Sequence, residues 1–435
     1  MKHAIRCLLI LACASPASLA QTTTAPTTAP TPAQIPALIK QLSDDNYQTR
    51  QDAQDQLVRF GADARPALQD LIAHTTDPEA RTRAETAIAL IEENRTTGAS
   101  LITLHVAGAA PDSVLAELSR QAMTPIPTQP ENLFRQGNVL SKVTLDVDRQ
   151  PFWVAFRQFC QQTGVRANSM GNDRKFVLMQ GGDDSILGPA VYTGPFMVVA
   201  NSVTRTSSIS FARDKLPSRN LNVQFTVFAE PKLNVMGHDY YVRLSEATDD
   251  RGNSLLMPNP GAYGTMGQDT SPRWSLGSQL AIPDNIGAKL ARIQGTTRVQ
   301  IQTKSEIWEI PDISKAQSPS KSIAGRRYVV EEFKTLSPEQ YQLKFTIIRE
   351  TPRLAEWQQY GRGVRLSLVD ANGKYLQSQG YGGGGSDEKL TYTHTFGRDA
   401  GDGTKTGEPA KLIVEVPTDV KEVQIPFDFK DLPLP

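Results

Sequence analysis

Val223-Gln224-Phe225-Thr226-Val227 returns as Leu343-Lys344-Phe345-Thr346-Ile347, and Glu230-Pro231-Lys232-Leu233 returns as Glu350-Thr351-Pro352-Arg353-Leu354. Working outward, Val242-Arg243-Leu244-Ser245 matches Val364-Arg365-Leu366-Ser367, Gly252 and Leu255 match Gly373 and Leu376, and Ala288-Lys289-Leu290 matches Ala410-Lys411-Leu412. The order is constant and the offsets run from 120 to 122 residues, so the C-terminal part of the chain is a duplication. Each copy carries short alternating apolar and polar runs with turn residues between them, which predicts an all-β sandwich. The expected bounds are 187–313 and 325–435, with a Ser/Pro/Lys connection at 314–324. Asp249-Asp250-Arg251-Gly252-Asn253 and Asp370-Ala371-Asn372-Gly373 occupy the same place in the two copies. Tight hairpins need such residues, and neither run has the terminal bidentate acid of a calcium loop.

Residues 100–181 alternate strand and helix signals. Ile102, Leu104 and Val106 alternate, and Pro111 opens a helix striped by Val114, Leu115, Leu118 and Ala122. Val143, Leu145 and Val147 alternate again, and Pro151 opens a second helix with Phe152, Trp153, Phe156, Phe159 and Cys160 on one face and Gly164 as its stop. Strand-like 165–169 and 176–179 complete a βαββαββ order. Through Ile102-Thr103-Leu104, Leu115 with Leu118, Val143-Thr144-Leu145 and Gln162-Thr163-Gly164, this stretch resembles the short N-terminal (STN) domain of secretins and TonB-dependent receptors. The resemblance implies a docking or signalling module of a bacterial envelope. The membrane barrel of those proteins, a series of alternating strands of about ten residues, has no counterpart in the pattern. The duplicated part resembles immunoglobulin-like domains in strand pattern, without their paired cysteines.

Upstream, residues 34–97 have helical periodicity: Ile35, Leu38, Ile39 and Leu42 share one face, as do Ala53, Leu57, Val58 and Phe60. Pro36-Ala37-Leu38 returns as Pro66-Ala67-Leu68, Arg50 with Ala53 as Arg81 with Ala84, and Leu57 as Ile88. The series resembles HEAT-like helical repeats, which implies a pair of stacked repeats and a protein-binding surface; the alternative, since two repeats fall short of a continuous solenoid core, is a helical pair docked on its neighbour domain. Asp45 with Arg50, and Asp77 with Arg81, are expected to be inter-repeat pairing groups. The fold class is therefore multidomain α+β: an N-terminal helical (HEAT-like) pair, a small βαββαββ domain and two tandem all-β sandwiches.

The chain begins with Lys2 and Arg6, an apolar run from Cys7 to Ala14, and Ser18-Leu19-Ala20. This is the layout of a secretory signal peptide over 1–20, followed by a Thr/Ala/Pro spacer at 21–33. Export to the periplasm or cell surface is expected, in soluble form; the alternative is a lipid anchor on Cys13. No later run reaches the 18 apolar residues of a transmembrane helix. Of 435 residues, 46 are Lys or Arg and 46 Asp or Glu, which argues against a nucleic-acid binder. Cys7 and Cys13 lie in the signal, which leaves Cys160 alone; a disulfide within one mature chain is excluded, and a buried inert thiol is expected.

No catalytic residues, metal ligands or cofactor site are expected. His74, His105, His238 and His394 fall in different segments, and H-E-x-x-H and G-x-S-x-G do not occur. Ser318-Pro-Ser-Lys321 with Lys405-Thr406-Gly407 fits the letters of a serine β-lactamase motif but sits in proline- and glycine-broken segments. The loops Met257–Thr270 and Gln379–Asp387 read as insertions, and Tyr263, Trp274 and Tyr381 are the candidate binding residues; the alternative is a core position for Trp274 and ordinary loop positions for the tyrosines. The expected function is that of a non-catalytic exported protein that binds or positions envelope proteins, in a secretion or outer-membrane system. The alternatives are a glycan-binding module, with polysaccharide on the loop aromatics, and an enzyme with its site between the sandwiches.

Overall fold

The computed structural model describes residues 32–134, 142–170, 175–181, 186–209, 211, 217–258, 271–352, 363–386, 388–399 and 405–435. The expected signal peptide, almost all of the spacer, and Tyr263 lie outside the described residues. The protein is mixed α+β, with helices first and several sheets after them. It divides into two compact units after Ile91.

The first unit is helical: α1 (Ile35–Gln41), α2 (Tyr47–Phe60), α3 (Arg65–His74) and the first part of α4 (Pro78–Thr97). Proline in the first turn starts α1 and α3, where its missing N–H costs nothing. Asn46 caps α2 by accepting from the Gln48 N–H at 2.8 Å. Ile35, Leu38, Leu42, Ala53, Leu57, Phe60, Leu68, Ala84 and Ala87 are buried together. Of the groups expected to pair between the repeats, Arg50 reaches across to the start of α4, whereas Arg81 stays within its own loop. Arg50 binds Glu79 Oε1 at 2.9 Å and donates to the carbonyls of Asp44 and Asp45, and Arg81 donates to that of Thr75. A guanidinium has more donors than one carboxylate can accept, and both arginines spend theirs on a loop carbonyl six residues back.

The second unit opens with β1 (Leu101–Ala109), α5 (Pro111–Gln121), β2 (Thr128–Gln129), β3 (Val143–Pro151), α6 (Phe152–Thr163), β4 (Val165–Met170) and β5 (Lys175–Gln180). β1 pairs with β3, and β2, β5 and β4 form a second sheet in that order. Gly164, at φ 67°, ends α6 in the left-handed conformation that a Cβ disfavours.

Next come β6 (Ala190–Thr193), β7 (Phe196–Ile209), β8 (Pro217–Ala229), β9 (Val235–His238), β10 (Arg243–Asp249), β11 (Arg273–Leu280) and β12 (Lys289–Pro311). The last series is β13 (Ser320–Ile323), β14 (Arg326–Ser337), β15 (Gln340–Arg349), β16 (Arg365–Asp370), β17 (Gln377–Gly385), β18 (Lys389–Gly397) and β19 (Pro409–Pro433). Two meander sheets, β11-β8-β7-β6 and β13-β14-β15-β18-β17, are built alike. They share a facing sheet, β10-β12-β19-β16, with β9 beside β12.

The two copies are not closed one after the other, as the sequence division at 314–324 anticipates. β12 and β19 are 23 and 25 residues long and pair along their whole length, from Lys289 with Pro433 to Pro311 with Lys411. At about 3.3 Å per residue each runs some 75 Å, far beyond the span of one core. The first core therefore sets Phe196, Val223, Phe225 and Trp274 against Leu290, Ile293, Val299 and Ile301 of β12 and Ile425, Phe427 and Phe429 of β19. The second sets Tyr328, Leu343, Phe345 and Phe396 against Ile310 of β12 and Leu412, Val414 and Val416 of β19. Gln300 pairs with Glu422, its own counterpart at the offset of 122 that relates Ala288 to Ala410. The duplication thus has a pseudo-twofold axis, and each copy lends half a strand to the other. The 314–324 connection also contributes to the folded structure, because β13 pairs with β14.

The first five residues of β7, Phe196 to Ala200, are buried on both faces. Period-two alternation turns Phe196 and Val198 into the first core, and Met197 and Val199 outward under α6. There Trp153, fully buried, stands 5.5 Å from Phe228 and donates Nε1–H to the Pro195 carbonyl at 3.0 Å. Arg157 donates to the carbonyls of Leu187 and Gly188. Cys160 is buried on the same helix, among the side chains of this core.

Candidate functional site

Thr391-Tyr392-Thr393-His394-Thr395-Phe396 on β18 alternates strictly, so Tyr392, His394 and Phe396 share one face. β17 lies along it, with Tyr381 opposite His394. The Tyr381 ring stacks on the imidazole at 5.6 Å and 19°, and His394 stacks in turn near Phe396 at 6.1 Å, with Tyr392 edge-on at 6.4 Å. Tyr381 is 64% exposed, whereas burial pushes the His394 pKa down to about 4. At neutral pH the imidazole is therefore uncharged, and the row offers a phenol on a neutral aromatic base, able to stack on a ring or donate a hydrogen bond.

β17 was expected to be a loop, because four glycines follow Tyr381. It is an edge strand instead. An ideal Cβ on Gly383 would stand 2.3 Å from the Thr391 carbonyl, and one on Gly385 would stand 2.1 Å from that of Lys389. At these positions glycine permits the close approach to β18 that makes the run a strand.

The three candidate binding residues do not form one platform. Trp274 is 4% exposed and stacks on His238 at 4.7 Å inside the first core, so it is a packing residue. Tyr381 is at the surface of the second copy, and Tyr263 is outside the described residues. His394, missed as a solitary histidine, is signalled by the alternation that faces it toward Tyr392 and Phe396. The polar groups of the β-lactamase-like letters have separate partners: Ser318 reaches the Glu331 carbonyl, Lys321 pairs with Glu306, and Lys405 with Glu339.

The two aspartate turns are equivalent corners. Asp249 accepts from the N–H groups of Arg251, Asn253 and Gly287 and from the Asn253 amide. Asp370 accepts from the N–H groups of Asn372, Lys374 and Gly407. Desolvation alone would raise the Asp249 pKa, but the donors outweigh it and bring it down to about 2. These oxygens tie a hairpin to the strand start across the sheet. Among the described residues, no three His, Cys, Asp or Glu side chains gather to hold a metal. Glu230, at 0% exposure, accepts from the Ser100 N–H at 2.9 and 3.1 Å and lies 3.6 Å from Lys232 Nζ. Burial raises its pKa against the opposing pull of Lys232 and Ser100. The carboxylate joins the chain leading into β1 to the end of β8, 130 residues away.

No protein-family model matches the chain, and no curated protein matches it. Among solved structures, a conserved domain protein from Bacillus anthracis aligns with 14% identity over 56% of this chain and 89% of its own, at a TM-score of 0.18. At that score the likeness carries no inference.

Proposed function

We propose that the protein is a non-catalytic, exported bacterial envelope protein that binds or positions other proteins. Its layout in this reading is a HEAT-like helical pair, an STN-like module and two immunoglobulin-like sandwiches interlocked by their long strands. The start of the sequence supports export, and the residue patterns at 34–97 and 100–181 support the two modules. One observation carries the reading: α6 is sunk into the outer face of β7 and β8, and Glu230 clasps the entry to β1. A module fastened in this way holds whatever it binds at a set position relative to the sheets.

The test is reciprocal capture from an envelope fraction with the full mature chain. One envelope protein should be recovered with either partner as bait, and recovery should fall in a Leu101→Glu/Met123→Glu variant, which charges two exposed apolar residues of the module. Failure to recover a reciprocal partner would count decisively against the proposal. Glycan binding is a second reading, favoured only by the exposed Tyr381 stacked on His394. Unchanged retention of Tyr381→Ala on polysaccharide removes it.

A further inference from the structure

The edge of the second meander sheet differs from the other edges of the duplicated part. β17 reads Gln377-Ser-Gln-Gly-Tyr-Gly-Gly-Gly-Gly385, nine residues without a charge or a proline, and most of it is exposed. Among the described residues the other edge strands are guarded or short: β10 carries Arg243 and Glu246, β16 Arg365, β11 Arg273 and β13 Lys321, and β6 and β9 have only four residues each. Edges left without such guards are templates for another strand.

From these features we infer that β17 is the edge on which a second copy of this chain docks, strand against strand and antiparallel. The inference is independent of the proposed envelope partner. The strand is complementary to itself about Tyr381. Antiparallel pairing centred there lays the side-chain-bearing half, Gln377 to Gln379, against the side-chain-free half, Gly383 to Gly385, of the other copy. In that register each Tyr381 faces the Tyr381 of the other copy, an aromatic cross-strand pair. Charge agrees with this pairing. Lys374 precedes Tyr381 by seven residues and Glu388 follows it by seven, so each end of the joint brings one lysine to one glutamate. Both are exposed. A charged foreign strand would have to bury its charge against an uncharged edge, whereas a second β17 brings none. A single strand pair buries less than the 1,000 Å² or so of a tight interface, so the dimer is a weak one with a micromolar dissociation constant.

Sedimentation velocity of the full mature chain, from about 5 to about 200 µM, tests this in the range where weak interfaces populate dimers. A concentration-dependent dimer is expected, abolished by Gly382→Glu, where an ideal Cβ meets nothing within 4 Å, and by Tyr381→Lys. Both variants should keep the wild-type melting temperature, which separates a lost interface from a lost fold. Tyr381→Cys, which stands directly opposite itself in this register, should cross-link to a covalent dimer on mild oxidation, since Cys160 is buried and contributes no competing thiol. A monomer across the whole range, a dimer that survives both charged variants, or no cross-link would overturn the assignment. So would a different protein bound at β17 while the chain itself stays monomeric.

Discussion

Phe427 belongs by sequence to the second copy and by packing to the first, so Phe427→Ala distinguishes shared strands from independent ones. The ring is 2% exposed and lies 4.9 Å from Phe225 and 5.8 Å from Phe429. Truncating a buried Phe to Ala costs about 3–5 kcal/mol, transfer and cavity together. A unit with two cores need not unfold in one step, so the loss is best read locally by amide hydrogen exchange. At about 1.4 kcal/mol per tenfold, exchange governed by opening of the first core should quicken by roughly a hundredfold to a few thousandfold. The faster amides should lie in 223–229 and 290–301, about 120 to 200 residues upstream of the substitution, while 343–347 and 390–396 stay near wild type. Leu412→Ala, in the other half of the same strand, should give the opposite map. In a double-mutant cycle, Phe225→Ala and Phe427→Ala should couple by about 0.5–1.5 kcal/mol, as touching aromatic rings do. Additivity within experimental error, or faster exchange confined to the second core, would refute the shared-strand reasoning.

Three further outcomes are expected. Trp274→Ala should lower stability by about 3–5 kcal/mol, as a core truncation does, while Tyr381→Ala at the exposed edge should change it by less than about 1; thermal denaturation of the pair compares them. The pKa of Asp249 is depressed by folding, so its contribution is present above the ordinary aspartate value of 3.8 and is lost as pH falls toward about 2. Asp249→Asn should remove that part of the acid sensitivity, read as melting temperature against pH. Glu230 has the opposite sign: its pKa is raised by folding, so a penalty grows as pH rises from 4.5 through the raised value. Glu230→Gln should flatten the melting profile over that window, and an unchanged slope would show that the carboxylate does not titrate there.

Elements whose signal is local were legible in the sequence. The stripe Val114, Leu115, Leu118 gives α5, the row from Phe152 to Cys160 gives α6, and Gly164 gives its end, because helix periodicity and capping act within a few residues. The duplication was legible because it is a property of letters. What it did not disclose is how the copies close. The pairing of Gln300 with Glu422 is a contact across 122 residues and leaves no local mark; only the equal placement of Ala288 and Ala410 before two unusually long alternating stretches hints at it. β17 was misread because glycines report turns far more often than strands, and the reason for this exception lies in the neighbouring strand. Trp274 reads from the sequence either as a binding residue or as core, and its burial beside Leu276 decides for the core. Arg50 pairs between the repeats with Glu79, while Arg81 spends a donor on the Thr75 carbonyl, an acceptor that a sequence does not display.

The interlocked strands have a consequence for how the chain survives cleavage. A single protease cut between Ala316 and Ser320 would separate the two sequence copies covalently. β12 would still run from one core into the other beside β19, and the side chains of Phe427 and Ile310 would each remain lodged in the core of the opposite fragment. The nicked chain should stay together in the absence of denaturant, as a heterodimer of its own halves.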